Sequence, residues 1–89
     1  MKAKRIRYYP PAVTVPYIQW TGENANDVNY FLESRNFGRF NNGVIIVWGD
    51  WGYRGEYEYP SIGDYIFMIN GTVDFCSENQ WKKRTKQDA

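Results

Sequence analysis

The dipeptide Asn70-Gly71 constrains the fold of this chain more than any other feature. It separates two short, largely apolar segments, residues 65–69 and 72–76. A two-residue type I′ turn requires positive φ at both central positions, and Asn-Gly meets that requirement with little strain. The sequence therefore predicts a β-hairpin over residues 65–76.

Earlier segments also have the composition of short strands separated by turns. Residues 1–9 are expected to form an edge strand or an extended arm. Residues 13–20 are β-branched and aromatic, and Pro16 restricts that strand to an edge or a bulge because proline has no N–H to donate. Residues 43–48 are a continuous apolar run, which predicts a central strand buried on both faces. Residues 53–59 alternate tyrosine with charged side chains, as a half-exposed strand does.

A first helix is expected directly after residues 13–20. Asn24 is a candidate N-cap, because a short polar side chain there can accept from the first free N–H groups. Apolar residues then recur at helical spacing and predict an amphipathic helix of about three turns; they are Ala25, Val28, Phe31 and Leu32. We read Gly38 and residues 41–43 as the exit from this helix.

A second helix is expected near the C-terminus. Residues 77–80 have the spacing of a capping box, with Ser77 at the cap and Gln80 reaching back. The helix should run through Trp81, with residues 85–89 frayed. Residues 1–89 are thus predicted to form a single small α+β domain. Its antiparallel sheet has four to five strands, with one helix after the first strand and a short C-terminal helix.

Aromatic residues are unusually frequent, with four Trp, eight Tyr and five Phe among 89 residues. A domain this small has little interior, so the rings serve either a compact core or an interaction surface. Trp51, at a predicted turn, illustrates both alternatives: it caps the open end of the sheet, or it joins an acidic aromatic patch for a protein partner. The members of that candidate site are Trp48, Asp50, Trp51, Tyr53, Glu56, Tyr57 and Glu58.

Charge is distributed unevenly, although the net charge is only +1. Residues 8–81 carry three arginines against nine carboxylates, a balance of −6, whereas both ends are basic. A solubilising surface, an acidic mimic of nucleic acid, and basic ends that touch phosphate all remain open. The candidate nucleic-acid contacts are Lys4, Arg5, Arg7, Tyr8, Tyr9, Lys82, Lys83 and Arg84.

Catalytic chemistry finds little support in the sequence. The chain has no histidine and a single cysteine, Cys76, which excludes the common His-based triads and thiolate metal clusters. Cys76 precedes a helix start, yet a cysteine that ends a strand is usually a small core residue. Asp64 reads as a turn residue that bonds its own backbone. We expect a protein that is not an enzyme, binds no cofactor or metal, and works in the cytoplasm of a host cell.

Two sequence blocks resemble small uncharacterised bacteriophage and prophage proteins. The first is Gln19-Trp20-Thr21-Gly22, which ends a strand before a helix. The second resembles that family's Pro-Gly-Asp element followed by an aromatic strand, a Gly turn and a helix with an aromatic residue; here it covers residues 60–81. This chain departs from the pattern by inserting Ser61-Ile62 before Gly63-Asp64 and by carrying Thr72-Val73-Asp74 where the family has Gly-Glu.

The resemblance implies a phage context and supplies no catalytic residue. Together with the acidic body, it leads us to expect an accessory protein that binds a host protein and inhibits it, for example a defence nuclease such as CRISPR machinery. The alternative is a module that binds nucleic acid or a nucleotide through its basic ends. A third alternative is a homodimer formed through the strand that carries Pro16.

Overall fold

The computed structural model describes residues 4–10, 12–48 and 56–85. Within these residues the chain forms seven β-strands and two α-helices. In chain order they are β1 (Lys4–Tyr8), β2 (Val13–Gln19), α1 (Ala25–Glu33), β3 (Gly38–Asn41), β4 (Val44–Val47), β5 (Glu56–Glu58), β6 (Tyr65–Ile69), β7 (Thr72–Cys76) and α2 (Glu78–Thr85). The predicted α+β class is confirmed, and the strands divide between two antiparallel sheets.

The larger sheet has four strands in the order β1-β2-β6-β7. The predicted hairpin is confirmed, with Ile69 opposite Thr72 and positive φ at both Asn70 (53°) and Gly71 (76°). The N-terminal segment is an edge strand, since β1 pairs with β2 from Lys4 opposite Tyr17 onward.

Of the two predicted positions for the strand that carries Pro16, an edge or a bulge, the edge is wrong. β2 lies between β1 and β6, so it is interior to the sheet. Its two neighbours are staggered: β1 pairs with Val13–Tyr17, whereas β6 pairs with residues 17–19. Pro16 therefore lies just before the β6 ladder begins, where its missing N–H interrupts no bond to that strand.

The smaller sheet has three strands in the order β3-β4-β5. β3 is not among the predicted strands, because the sequence pattern places Asn42-Gly43 at the exit from a helix. These two residues have positive φ (52° and 77°) and form the turn between β3 and β4. Gly38 begins β3 where an added Cβ would collide with the Ile46 carbonyl oxygen. Glycine is therefore required there by the close approach of β4.

Two apolar clusters cover the opposite faces of the four-stranded sheet. Because side chains alternate along a strand, Ile66 and Met68 of β6 pack with α1 and the three-stranded sheet. Phe67 points the other way and packs with Trp81 of α2. The domain thus has three layers: α2, the four-stranded sheet, and a layer formed by α1 with the three-stranded sheet.

The two helices begin where predicted but differ from the sequence interpretation in detail. Asn24 is at the N-cap of α1 without a side-chain capping bond. Ser77 does cap α2, with the Gln80 N–H donating to its Oγ at 3.3 Å. α2 continues beyond Trp81 to Thr85, which is buried. The expected fraying is therefore wrong at Thr85, and residues 86–89 lie outside the described residues.

Candidate binding surfaces

The outward face of the three-stranded sheet carries exposed apolar side chains from the predicted patch. Strand register aligns Arg39, Ile46 and Tyr57 across β3, β4 and β5, so their side chains share one face. Trp48 follows β4 and continues the alternation of Ile46. Trp48 is 42% exposed and Tyr57 is 60% exposed. We call these four residues the outer sheet face.

This exposure corrects the prediction that residues 43–48 are buried on both faces. Ile45, on the inner side of β4, is completely buried within the cluster that contains α1. Ile46 is only partly buried, and Trp48 is exposed. β4 is central in its sheet, as predicted, but a three-stranded sheet that packs through one face leaves the other to solvent.

The remaining members of the predicted patch are placed differently or lie outside the described residues. Three of them lie outside the described residues, namely Asp50, Trp51 and Tyr53, so whether Trp51 caps the core stays a prediction. The backbone of Glu56 pairs with Val47. Glu58 pairs with the inward-facing Ile45, which puts it on the opposite side of β5 from Tyr57. Glu58 therefore does not border the outer sheet face.

The basic segments at the two ends of the chain meet on another side of the molecule. The Tyr9 N–H donates to the Arg84 carbonyl oxygen at 2.8 Å, which fixes the end of α2 beside the end of β1. The two basic segments therefore approach each other where β1 and α2 end, and we call their exposed cations together the basic edge. Its members are Lys4, Arg5, Arg7, Lys82, Lys83 and Arg84.

Not all of these cations are equally available. Lys82 lies 3.7 Å from Glu78 in an ion pair, and Arg84 donates to the Tyr8 hydroxyl at 3.3 Å. Arg7 interacts with another part of the chain. Lys4, Arg5 and Lys83 are exposed to solvent.

Tyr8, one of the predicted nucleic-acid contacts, is too buried to stack a base. It is only 7% exposed, and its ring lies 4.7 Å from that of Phe67 and 5.8 Å from that of Trp81. Burial raises the pKa of its hydroxyl above 10.0, against the opposing effect of Arg84. Tyr8 is a core residue, whereas Tyr9 remains partly exposed.

A pocket of about 380 Å³ opens where β1 begins and β2 ends. Register produces it: Lys4 pairs with Tyr17, and Gln19 pairs with Tyr65. The walls combine two phenol rings with amides, a lysine and a carboxylate; they are Lys4, Tyr17, Ile18, Gln19, Thr21, Asn24, Asp27 and Tyr65. We call it the end pocket. Sequence analysis did not identify it, since no local pattern reports which strands become neighbours.

The two blocks that carry the phage resemblance meet beside this pocket. Trp20 exchanges backbone hydrogen bonds with the second block, from Gly63 N–H at 2.6 Å and to Asp64 at 2.9 Å. Gln19 Nε2 donates to the Gly63 carbonyl at 3.1 Å. Gly22 has φ of 89°, and an added Cβ would lie 3.0 Å from Ile62 Cδ1. These residues form a structural junction that continues the β2–β6 ladder.

Asn24 organises the same junction instead of capping α1. Its Oδ1 accepts from both the N–H and the hydroxyl of Thr21, each at 3.0 Å. Its Nδ2 donates to the Gln19 carbonyl at 2.8 Å. Asn24 thus uses its side chain to close the turn between β2 and α1, and the wall of the end pocket is held by fixed hydrogen bonds.

The groups with intrinsic chemical reactivity are placed in structural roles. Burial, with the carboxylates of Asp74 and Asp64, raises the pKa of the Cys76 thiol to about 11, so the nucleophilic thiolate is scarce at neutral pH. Asp64 accepts from the Ser61 N–H at 2.9 Å, which confirms it as a turn residue. In the described part of the chain, no three potential metal ligands cluster.

Comparison with protein-family models, with curated proteins and with solved structures gives no match. The resemblance to phage proteins therefore stays a prediction from its two sequence blocks. Among the described helices, none has the length and apolar character needed to span a bilayer.

Proposed function

We propose that this protein is a non-enzymatic binding module that recognises a protein partner through the outer sheet face. The observation that carries the proposal is the alignment of Arg39, Ile46 and Tyr57 on one exposed face, next to Trp48. Trp, Tyr and Arg are the residue types most enriched at binding hot spots. Here all three occur together around an aliphatic residue.

The geometry also suits a partner of particular chemistry. The inner side of the same sheet is anchored by Phe40 and Ile45 in the core, so the outer side chains stand on a fixed scaffold. The Asn29 Oδ1 accepts from the Phe40 N–H at 2.8 Å and ties β3 to α1. A rigid platform loses little conformational entropy on binding. The expected partner offers an apolar recess for Trp48 and Tyr57 and a carboxylate for Arg39.

The phage resemblance makes a host protein the expected partner, with inhibition of a defence nuclease as one outcome. The sequence predicts an acidic aromatic site, whereas the outer sheet face carries the positive charge of Arg39. Glu58 lies on the other side of β5 from Tyr57, whereas Arg39 lies on the same side. Recognition therefore rests on aromatic and guanidinium contacts and does not require mimicry of nucleic acid.

The test is a comparison of exposed tyrosines. Tagged wild-type protein, Trp48→Ala, Tyr57→Ala and the control Tyr30→Ala are used to capture proteins from host lysate, both untreated and treated with nuclease. Tyr30 is 53% exposed on α1, so its substitution removes the same side chain from another surface. The captured protein is then purified and its Kd is measured by calorimetry with each variant.

The proposal expects Trp48→Ala and Tyr57→Ala to weaken binding by about 2 kcal/mol or more, as hot-spot residues do, with Tyr30→Ala close to wild type. Circular dichroism and urea unfolding should show that all variants are folded. Retention of full affinity by both face variants would refute the outer sheet face as the interface. A partner that is lost on nuclease treatment would refute direct protein binding.

A further inference from the structure

We infer that the edge of β1 and the end pocket bind single-stranded nucleic acid, with phosphates on the basic edge and one unpaired base in the pocket. This site is separate from the outer sheet face. The two sites share no residue, so the failure of either proposal leaves the other standing.

The first step concerns the exposed edge of β1. β1 is the outermost strand of its sheet, so side chains from both of its faces border the same edge. Lys4 and Arg5 are neighbours on opposite faces of β1, and both are exposed. Lys83 projects from α2, whose end is fixed beside β1. Lys4 and Arg5 at the strand edge, together with Lys83 on the exposed side of the neighbouring helix, give three exposed cations that a phosphodiester chain can contact.

The second step concerns the pocket at the end of this track. Lys4 belongs both to the basic edge and to the pocket wall, so a strand held by Lys4 has a nucleotide at the pocket entrance. The Tyr65 ring is stacked on Trp81, with centroids 5.0 Å apart and planes at 6°. That stacking fixes the ring, and a fixed aromatic wall is what base stacking requires.

The third step concerns the polar groups of the pocket, which suit a base better than a phosphate. Asp27 places a carboxylate in the wall, and a carboxylate repels phosphate but accepts from the amino groups of bases. Gln19 adds an amide group, whereas the amide of Asn24 is already engaged with Thr21 and the Gln19 carbonyl. The volume of about 380 Å³ is at the small end of ligand pockets. It therefore fits one extruded base, and a paired base in a duplex cannot enter it.

Electrostatic repulsion disfavours a second copy of this chain as the occupant of the β1 edge. In a symmetric antiparallel pairing of two β1 strands about Ile6, Arg5 of one copy would face Arg7 of the other, and like charges directly opposite one another destabilise a sheet. A second copy is therefore disfavoured here. The predicted homodimer through the Pro16 strand is also excluded as an edge contact, because β2 is interior.

The test measures fluorescence anisotropy of four labelled 12-mer probes from 50 to 200 mM NaCl: mixed-sequence single-stranded DNA, the same sequence as RNA, its DNA duplex, and an abasic strand of equal charge. Each phosphate contact contributes about −0.7 to the slope of log K against log [NaCl] for a single strand, so three contacts give a slope of about −2. Single-strand binding should therefore weaken about 20-fold over this range. The abasic strand should bind about tenfold more weakly because it lacks the stacked base. RNA should bind in the same way as single-stranded DNA.

Two matched pairs of variants locate the contacts. Arg5→Gln and Arg39→Gln remove the same charge from exposed positions of two edge strands. Only Arg5→Gln should reduce the magnitude of the salt slope, by about 0.7. Asp27→Ala and Glu33→Ala remove the same charge from exposed positions of α1. Only Asp27→Ala should reduce the preference for the base-bearing strand over the abasic strand.

Three outcomes would overturn the inference. One is the absence of binding at 50 mM NaCl. Another is equal affinity for the abasic strand or the duplex, which would leave a nonspecific cationic surface. The third is an equal reduction of the salt slope in Arg5→Gln and Arg39→Gln, which would mean that net charge and not the basic edge governs binding.

Discussion

Trp81→Ala tests whether one aromatic side chain holds α2 on the four-stranded sheet. Trp81 is 4% exposed, and its ring lies 5.0–5.8 Å from four others. These rings are Tyr8, Tyr17, Tyr65 and Phe67. Trp81 and Thr85 are the buried residues of α2, so the helix depends largely on Trp81 for its apolar contact.

The expected loss is large relative to the stability of the domain. A buried Trp→Ala substitution costs about 3–5 kcal/mol, and four ring partners place Trp81 near the upper value because each aromatic pair adds about 0.5–1.5 kcal/mol. A chain of 89 residues has a free energy of unfolding of about 4–13 kcal/mol at about 0.05–0.15 kcal/mol per residue. Trp81→Ala should therefore remove a third or more of the free energy of unfolding.

Urea unfolding followed by far-UV circular dichroism measures this loss. Lys83→Ala is the matched control, because it changes an exposed residue of the same helix and should alter stability by no more than about 0.5 kcal/mol. Trp81→Phe should lose clearly less than Trp81→Ala, since it keeps a ring in the cluster. A loss below about 2 kcal/mol for Trp81→Ala would refute the view that this side chain docks α2.

Three further predictions concern single positions. Gly38→Ala should lower the free energy of unfolding by about 1–3 kcal/mol, because its Cβ would collide with the Ile46 carbonyl; thermal unfolding measures this, and unchanged stability would contradict the close approach. Asn24→Ala should lower the free energy of unfolding by about 1–2 kcal/mol through loss of its bonds to Thr21 and Gln19, and a urea titration with no change in midpoint would contradict it. Cys76 should react with iodoacetamide at pH 8 far more slowly than a free thiol, because its pKa is raised to about 11. Since the native thiol then holds its proton above the unfolded pKa, Cys76 should also contribute a loss of stability as the pH rises from 9 to 11, which Cys76→Ala should reduce.

The sequence predicts those elements that depend on residues within one short segment of the chain. The hairpin over residues 65–76 follows from the φ requirement of Asn70-Gly71, and α1 follows from the spacing of Val28, Phe31 and Leu32. The same dipeptide at Asn42-Gly43 does not predict a hairpin as clearly, because the short strand before it, residues 38–41, contains Gly38 and Asn41, which have low β propensity. Packing against α1 and pairing with β4 stabilise that strand, and neither contact is visible in a local pattern.

The candidate sites were less predictable, because they depend on which distant residues become neighbours. Tyr8 and Tyr9 look equivalent in a basic, aromatic segment, yet the alternation of β1 buries Tyr8 against Phe67. The end pocket requires both Lys4 opposite Tyr17 and Gln19 opposite Tyr65. A shift of one residue in either pairing would turn these side chains to the other face, so only the strand register defines this pocket.

The layered fold makes the two proposed surfaces independent of one another in experiment. The outer sheet face belongs to the layer on one side of the four-stranded sheet, and α2 belongs to the layer on the other side. Variants at Trp48 or Tyr57 should therefore leave the salt slope of nucleic-acid binding unchanged. Arg5→Gln should likewise leave the affinity for a protein partner unchanged, because effects of distant sites without shared contacts add independently. Trp81→Ala should differ from both, since loss of α2 displaces Lys83 from the basic edge and uncovers the Tyr65 wall of the end pocket while Arg39 and Tyr57 keep their own sheet. Loss of nucleic-acid binding with retained partner binding in that variant would show that the two activities are separable, whereas a joint loss would show that the layers fold only as one unit.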